Sequence, residues 1–346
     1  MSQSAFHAAA FALAACLPVL AHGAEPLIPA RTSFDPLAPA AKGRPSRVGT
    51  RSRLVRTGMT GTYALPDGQP KVDATLVATL GRGGAETFDI AMTALGQQRP
   101  STRYETELSK QLHVIAVSID FRTFVHEHAD RPAANEHFRV AMRLPRPDRY
   151  HVYADAAPSG IGQQVMRFEL DAGGAPAQQP AEPVPSPLEA ADGRYAARFD
   201  RFELRAGQES QLGLRLLRDG KPAPDVTPFL GVAAHAVFIN SADLTYVHVH
   251  ATPAAAPGTG GTGGTGAPMQ RDFAGTTTAP TVGHQGMAGM EMPDGGAMPP
   301  PLRLGARVPP DLTLHVLAPK AGTYLLWIQF TVGGKVRTMP FVVAVS

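Results

Sequence analysis

Apolar positions in this chain come in short runs. Val114 to Ser118 and Ala236 to Asn240 are rich in β-branched side chains, Tyr150 to Ala154 and Tyr324 to Phe330 are aromatic-rich, and Val336 to Val345 is a further run of the same kind. None shows the 3.6-residue period of an amphipathic helix, so each reads as a strand. The one longer apolar stretch, Ala8 to Ala21, matches the hydrophobic core of a secretory signal and falls short of the ~20 residues that span a bilayer. No downstream run reaches that length, so no transmembrane segment is expected.

The runs recur. Sliding the chain by 122 residues aligns Phe88 to His128 with Ser210 to His250 without a gap, and only eight of the 41 positions are identical. Yet His113, His126 and His128 fall on His235, His248 and His250. The match resumes where Pro145 to Tyr150 faces Pro319 to Tyr324, and the second copy carries some 52 extra residues between the two matched parts. A fixed-period repeat of strand-forming segments predicts an all-β protein of two tandem immunoglobulin-like or cupredoxin-like sandwiches, each of about seven strands. The expected order is a signal over 1–23, a mobile basic arm over 24–70, repeat 1 over 71–170, a Pro-rich linker over 171–189 and repeat 2 over 190–346, with an insertion over 252–308.

Composition sharpens that division. Of the 346 residues, 35 are Gly and 33 are Pro, and 42 of these 68 lie in 24–70, 171–189 and 251–310, which take in the arm, the linker and the insertion. Charged residues make up 18% and the net charge is +3, which gives no case for a nucleic-acid partner. Between Lys42 and Arg56 the arm holds six bases (Lys42, Arg44, Arg47, Arg51, Arg53, Arg56) and no acid, so the chain outside that stretch sums to about −3. Such an arm suits weak association with an anionic envelope surface. Cys16 is the sole cysteine and lies within the signal, so a mature chain lacking it would suit an oxidising compartment, periplasmic or secreted. Reading Leu13 to Cys16 as a lipobox makes Cys16 a lipid anchor instead.

Each repeat carries an aromatic-Val-His-x-His strand, Phe124 to His128 and Tyr246 to His250. Side chains two apart on a strand share a face about 6.5–7 Å apart, so both imidazoles can reach one ion. An even-length turn at Ile119 to Arg122 would set His113 opposite His128 and Ile115 opposite His126, and the same register would bring His235 to His250. Three neutral imidazoles suit Cu(II) or Zn(II), with Cu(II) favoured by the affinity order. In the insertion, His284 precedes Met287, Met290 and Met292 on a Gly-rich stretch with no packing pattern, and thioethers are soft ligands that select Cu(I).

Asp243 to His250, Pro319 to Leu326 and Thr338 to Phe341 together resemble the Asp-Leu-x-x-(Phe/Tyr)-x-His-x-His hairpin, the Pro-x-x-Gly-x-Tyr-x-Leu strand and the Thr-x-x-Phe strand of a group of exported bacterial β-sandwich proteins. Repeat 1 departs from it at Phe121, Arg122 and Asp148. The resemblance implies a cupredoxin-like or immunoglobulin-like fold and a role in periplasmic copper handling. The expectation is a non-enzymatic protein that sequesters copper or delivers it to a periplasmic partner. The competing expectation is a structural or interaction module that binds a protein or glycan without metal.

Overall fold

Alternation in Val72–Leu80 and Phe138–Arg143 puts every second side chain in a core and the next in water. Leu112–Ser118 and Ala234–Asn240 differ, because every residue is buried, as in a strand covered on both faces. A computed structural model describes residues 55–66, 68–81, 85–107, 109–173, 183–254, 302–303 and 305–346. These residues form nineteen strands and no helix.

In repeat 1 the strands are β1 (Val55–Thr60), β2 (Thr62–Tyr63), β3 (Val72–Leu80), β4 (Ala85–Ala94), β5 (Leu112–Ser118), β6 (Phe124–Ala129), β7 (Phe138–Arg143), β8 (Arg149–Ala156) and β9 (Gln164–Asp171). They make a four-stranded sheet, β1-β3-β4-β7, and a five-stranded sheet, β2-β9-β8-β5-β6. Leu76, Phe88 and Phe138 from the first pack on Val114, Val152 and Phe168 from the second, which makes a sandwich.

Repeat 2 contributes β10 (Glu189–Asp192), β11 (Tyr195–Phe199), β12 (Glu209–Arg218), β13 (Lys221–Pro222), β14 (Val226–Thr227), β15 (Ala234–Asn240), β16 (Tyr246–Pro253), β17 (Asp311–Leu317), β18 (Gly322–Val332) and β19 (Lys335–Val345). Strands β3 to β9 have their counterparts in β11, β12 and β15 to β19. One difference separates the copies. Strand β16 runs on to pair Ala251 with Leu314 of β17, which joins the two sheets into one nearly closed ten-stranded sheet around a single core. In both repeats a tyrosine pins the strand after the hairpin: the Tyr150 hydroxyl donates to the Arg146 carbonyl (2.7 Å) and that of Tyr324 to the Lys320 carbonyl (3.0 Å).

Several expected boundaries shift. Repeat 1 starts inside the expected arm, since β1 and β2 pair with β3 and β9. The end of the expected linker is held against β19, where Ser186 exchanges bonds with the backbone of Val342. The insertion narrows because β16 extends through Pro253 and Val308 is buried in the core. Residues 1–54, 174–182 of the linker and 255–301 and 304 of the insertion lie outside the described residues.

The repeats do not stand apart. A third core, Ile115, Val117, Phe124, Tyr153 and Val165 from one repeat against Val237, Ile239, Tyr246, Leu325, Trp327 and Val342 from the other, fills the space between them. Trp327 stacks on Phe124 with centroids 4.8 Å apart, and Tyr246 on Tyr153 at 5.2 Å. Strands β5 and β15 are therefore covered on both faces, by their own sandwich and by the other repeat.

Candidate metal centre

The geometry starts from two four-residue turns. In repeat 1 the Ser118 N–H donates to the Thr123 carbonyl (3.1 Å), and Asp120, bonded by the Ser118 hydroxyl and clamped by Arg146, accepts from the Arg122 N–H. In repeat 2 Asn240 donates to the Thr245 carbonyl (3.0 Å) while its side-chain oxygen accepts from the N–H groups of Ala242 and Asp243. Phe121 (φ 58°) and Leu244 (φ 63°) take the left-handed conformation that the reversal needs. With an even turn, His113 lies opposite His128 and Ile115 opposite His126, as the spacing predicts, and His235 lies opposite His250.

The ligand nitrogens of His113, His126 and His128 lie within 4.8 Å of one another, and so do those of His235, His248 and His250. His113 Nδ1 is 3.3 Å from His126 Nε2, and His235 Nδ1 is 3.1 Å from His248 Nε2. Two imidazole nitrogens on a tetrahedral ion with metal–nitrogen bonds of about 2.0 Å would stand about 3.3 Å apart, so these separations suit an ion.

The triads occupy the faces that meet in the third core, so the six rings form one group. Within a triad the ring centroids are 4.3 to 5.5 Å apart. Between triads they are hardly farther: 5.2 Å for His113 and His248, 5.8 Å for His126 and either His235 or His248, and 6.1 Å for His113 and His235.

All six imidazoles are held neutral. Burial, followed by like charge from neighbouring histidines, keeps His113, His128, His235 and His250 well below the usual imidazole value. Burial takes His126 down to about 4 and His248 to about 3. The repeats act on each other here, since after burial the charge weighing most on His113 is that of His248, ahead of its own neighbour His126.

Surrounding groups set which nitrogens offer lone pairs. Gln329 donates through its NH₂ to the Thr338 hydroxyl (3.0 Å), which turns its oxygen to His126 Nδ1 at 2.8 Å. His126 must donate there, leaving Nε2 as its lone-pair nitrogen. His235 Nε2 faces the Phe229 carbonyl at 3.1 Å and therefore carries the proton, which frees Nδ1. His113 Nε2, His128 Nε2, His248 Nδ1 and His250 Nε2 are buried without any hydrogen-bond partner. The lone-pair nitrogens His126 Nε2 and His235 Nδ1 thus stand 3.3 and 3.1 Å from a nitrogen of the neighbouring imidazole, and this donor set fits a metal ion.

Two acids also reach the cluster. Asp155 Oδ2 is 3.5 Å from His248 Nδ1, and Glu107 Oε1 is 3.6 Å from His250 Nε2. Asp155 is also bonded by the Gln163 amide (2.9 Å) and the Tyr246 hydroxyl (3.2 Å). Burial raises its pKa, and burial together with the charge of Asp155 pushes Glu107 up to about 8. Asp155, Glu107 and Gln329 are absent from the histidine motif. Asp155 and Gln329 do leave a signal, since each is the polar residue opposite the first histidine of its triad, in a strand otherwise rich in buried apolar residues. His284, Met287, Met290 and Met292 lie outside the described residues.

Among the described residues no helix is long and apolar enough to cross a membrane. No curated protein matches the chain. A family profile described as a domain of unknown function (DUF8832) matches residues 189–284 and 297–346, which is repeat 2 with all of its insertion except residues 285–296.

Proposed function

We propose that this protein binds copper in the periplasm, for sequestration or delivery, and is not an enzyme. One observation carries the reading: six neutral imidazoles, buried or half-buried, converge in two triads whose ligand nitrogens lie within 4.8 Å of one another. Nitrogen donors of intermediate softness favour Cu(II) over the other common divalent ions. The Met287, Met290 and Met292 stretch, with His284, would supply a softer set for Cu(I), and the secretory-type start of the sequence is what supports export. A closed cluster of this kind suits holding an ion rather than an organic substrate.

Calorimetric titration of the mature protein with Cu(II), and with Cu(I) under reductant, tests this. Sub-micromolar binding is expected, and the double variant His126→Ala, His248→Ala should lose the Cu(II) phase. No binding tighter than micromolar in the wild type would overturn the reading. The alternative, an interaction module, draws support from the His126–Gln329 bond, which joins the repeats without any ion. In that case the double variant would lose stability and leave copper tolerance unchanged.

A further inference from the structure

Resting on the metal reading, we infer that the two triads make one two-ion centre with unequal positions, in which His235, His248 and His250 hold the tighter ion because repeat 1 lends them Asp155 and Glu107.

The inference stands on a reciprocity. Each triad is finished by residues of the other repeat at matching positions. The residue opposite the first histidine of each triad, Asp155 opposite His113 and Gln329 opposite His235, reaches the middle histidine of the other triad. Gln329 thus bonds His126, and Asp155 approaches His248. Glu107 and Phe229 are likewise counterparts under the 122-residue shift. Glu107 meets His250, while the Phe229 ring lies 5.9 Å from that of His128. The exchange is symmetrical in place and opposite in chemistry: repeat 2 gives repeat 1 an amide and a phenyl ring, and repeat 1 gives repeat 2 two carboxyl groups.

A carboxylate 3.5 Å from a ligating imidazole strengthens that ligand, and at that range it attracts a dication directly. Among the described residues no acid stands in ion-pair contact with the triad of repeat 1, which Asp155 reaches only through the longer-range charge felt by His113 and His126. Since ring spacings between triads nearly equal those within them, a second ion placed at His113, His126 and His128 would stand in the field of the first.

Cu(II) titration followed by electron paramagnetic resonance tests both parts, with Cu(II) alone as the probe. One equivalent should give an isolated signal that His250→Ala removes and His128→Ala keeps. The second equivalent should broaden or cancel that signal through coupling of the two ions. Asp155→Asn should weaken the first ion by roughly 10- to 100-fold and bring the two affinities together. Gln329→Glu, which places an acid beside His126, should tighten the second ion by a similar factor. If the paired-histidine variants show the first ion at His113, His126 and His128, or if two equivalents give two isolated signals of equal affinity unmoved by Asp155→Asn and Gln329→Glu, this proposal falls and the metal reading stands. Absence of any copper signal in the wild type would remove both.

Discussion

A buried imidazole that stays neutral leaves a mark on stability as well as on ligation. His126 and His248 titrate near 4 and 3 in the folded protein, against an ordinary value near 6.5 for the unfolded chain. Between those limits the unfolded chain binds more protons, so stability falls as pH drops below 6.5 and the loss is complete near 3 to 4. For His126 alone the full loss is about 3 kcal/mol. Glu107 has the opposite sign. Its raised pKa contributes stability that is whole below its ordinary value of 4.5 and lost as pH rises through about 8. Six imidazoles outweigh the acids on the acidic side, so calorimetry of metal-free protein should find the melting temperature highest around neutral pH and falling steeply from pH 6.5 to 5. His126→Leu should flatten that fall; an unchanged slope would mean that His126 is solvated and charged. At this scale the sequence was half legible. The strand period of two placed His126 beside His128, but Asp155 and Glu107 reach histidines nearly a hundred or more residues away, and no local spacing signals such a contact.

At the scale of elements, the histidines are only as fixed as the strands beneath them. Tyr150 and Tyr324 anchor the starts of β8 and β18, the strands that bear Asp155 and Gln329. Removing either hydroxyl leaves a backbone carbonyl short of a donor. Tyr150→Phe and Tyr324→Phe should each cost about 1 kcal/mol in urea unfolding, with two copper ions still bound per chain; loss of an ion would mean that the corner also aims the ligands. The register of β5 and β6 was legible once the turn was taken as even, since the alternation then leaves one arrangement that buries the apolar face. The joining of β16 to β17 was not. The two copies differ there by an extension of β16 through Ala251 to Pro253, next to the insertion, and nothing in their apolar patterns separates a strand that stops from one that continues.

For the molecule as a whole, the apolar runs at Val114 and Ala236 suggested β cores, yet the Pro-rich stretch between the copies suggested separate bodies. Strands buried on both faces resolve the conflict: their continuous apolar runs serve two cores at once. Trp327, the only tryptophan, lies in the shared core on Phe124, two residues from His126. Its fluorescence should therefore report the interface. Cu(II) should quench it in step with binding, and Trp327→Ala should cost about 3–5 kcal/mol and weaken both ions together. Quenching that lags far behind binding would place the ions away from this face.

The exchange of side chains between repeats also bears on why two different copies share one chain. A single repeat paired with an identical partner could cover its histidine face, but symmetry would then oblige both ions to see the same neighbours. Joining two copies end to end lifts that obligation: position 155 can be an acid while its counterpart 329 is an amide. On the two-ion proposal, fusion would let one protein keep an ion it holds firmly beside an ion it gives up readily.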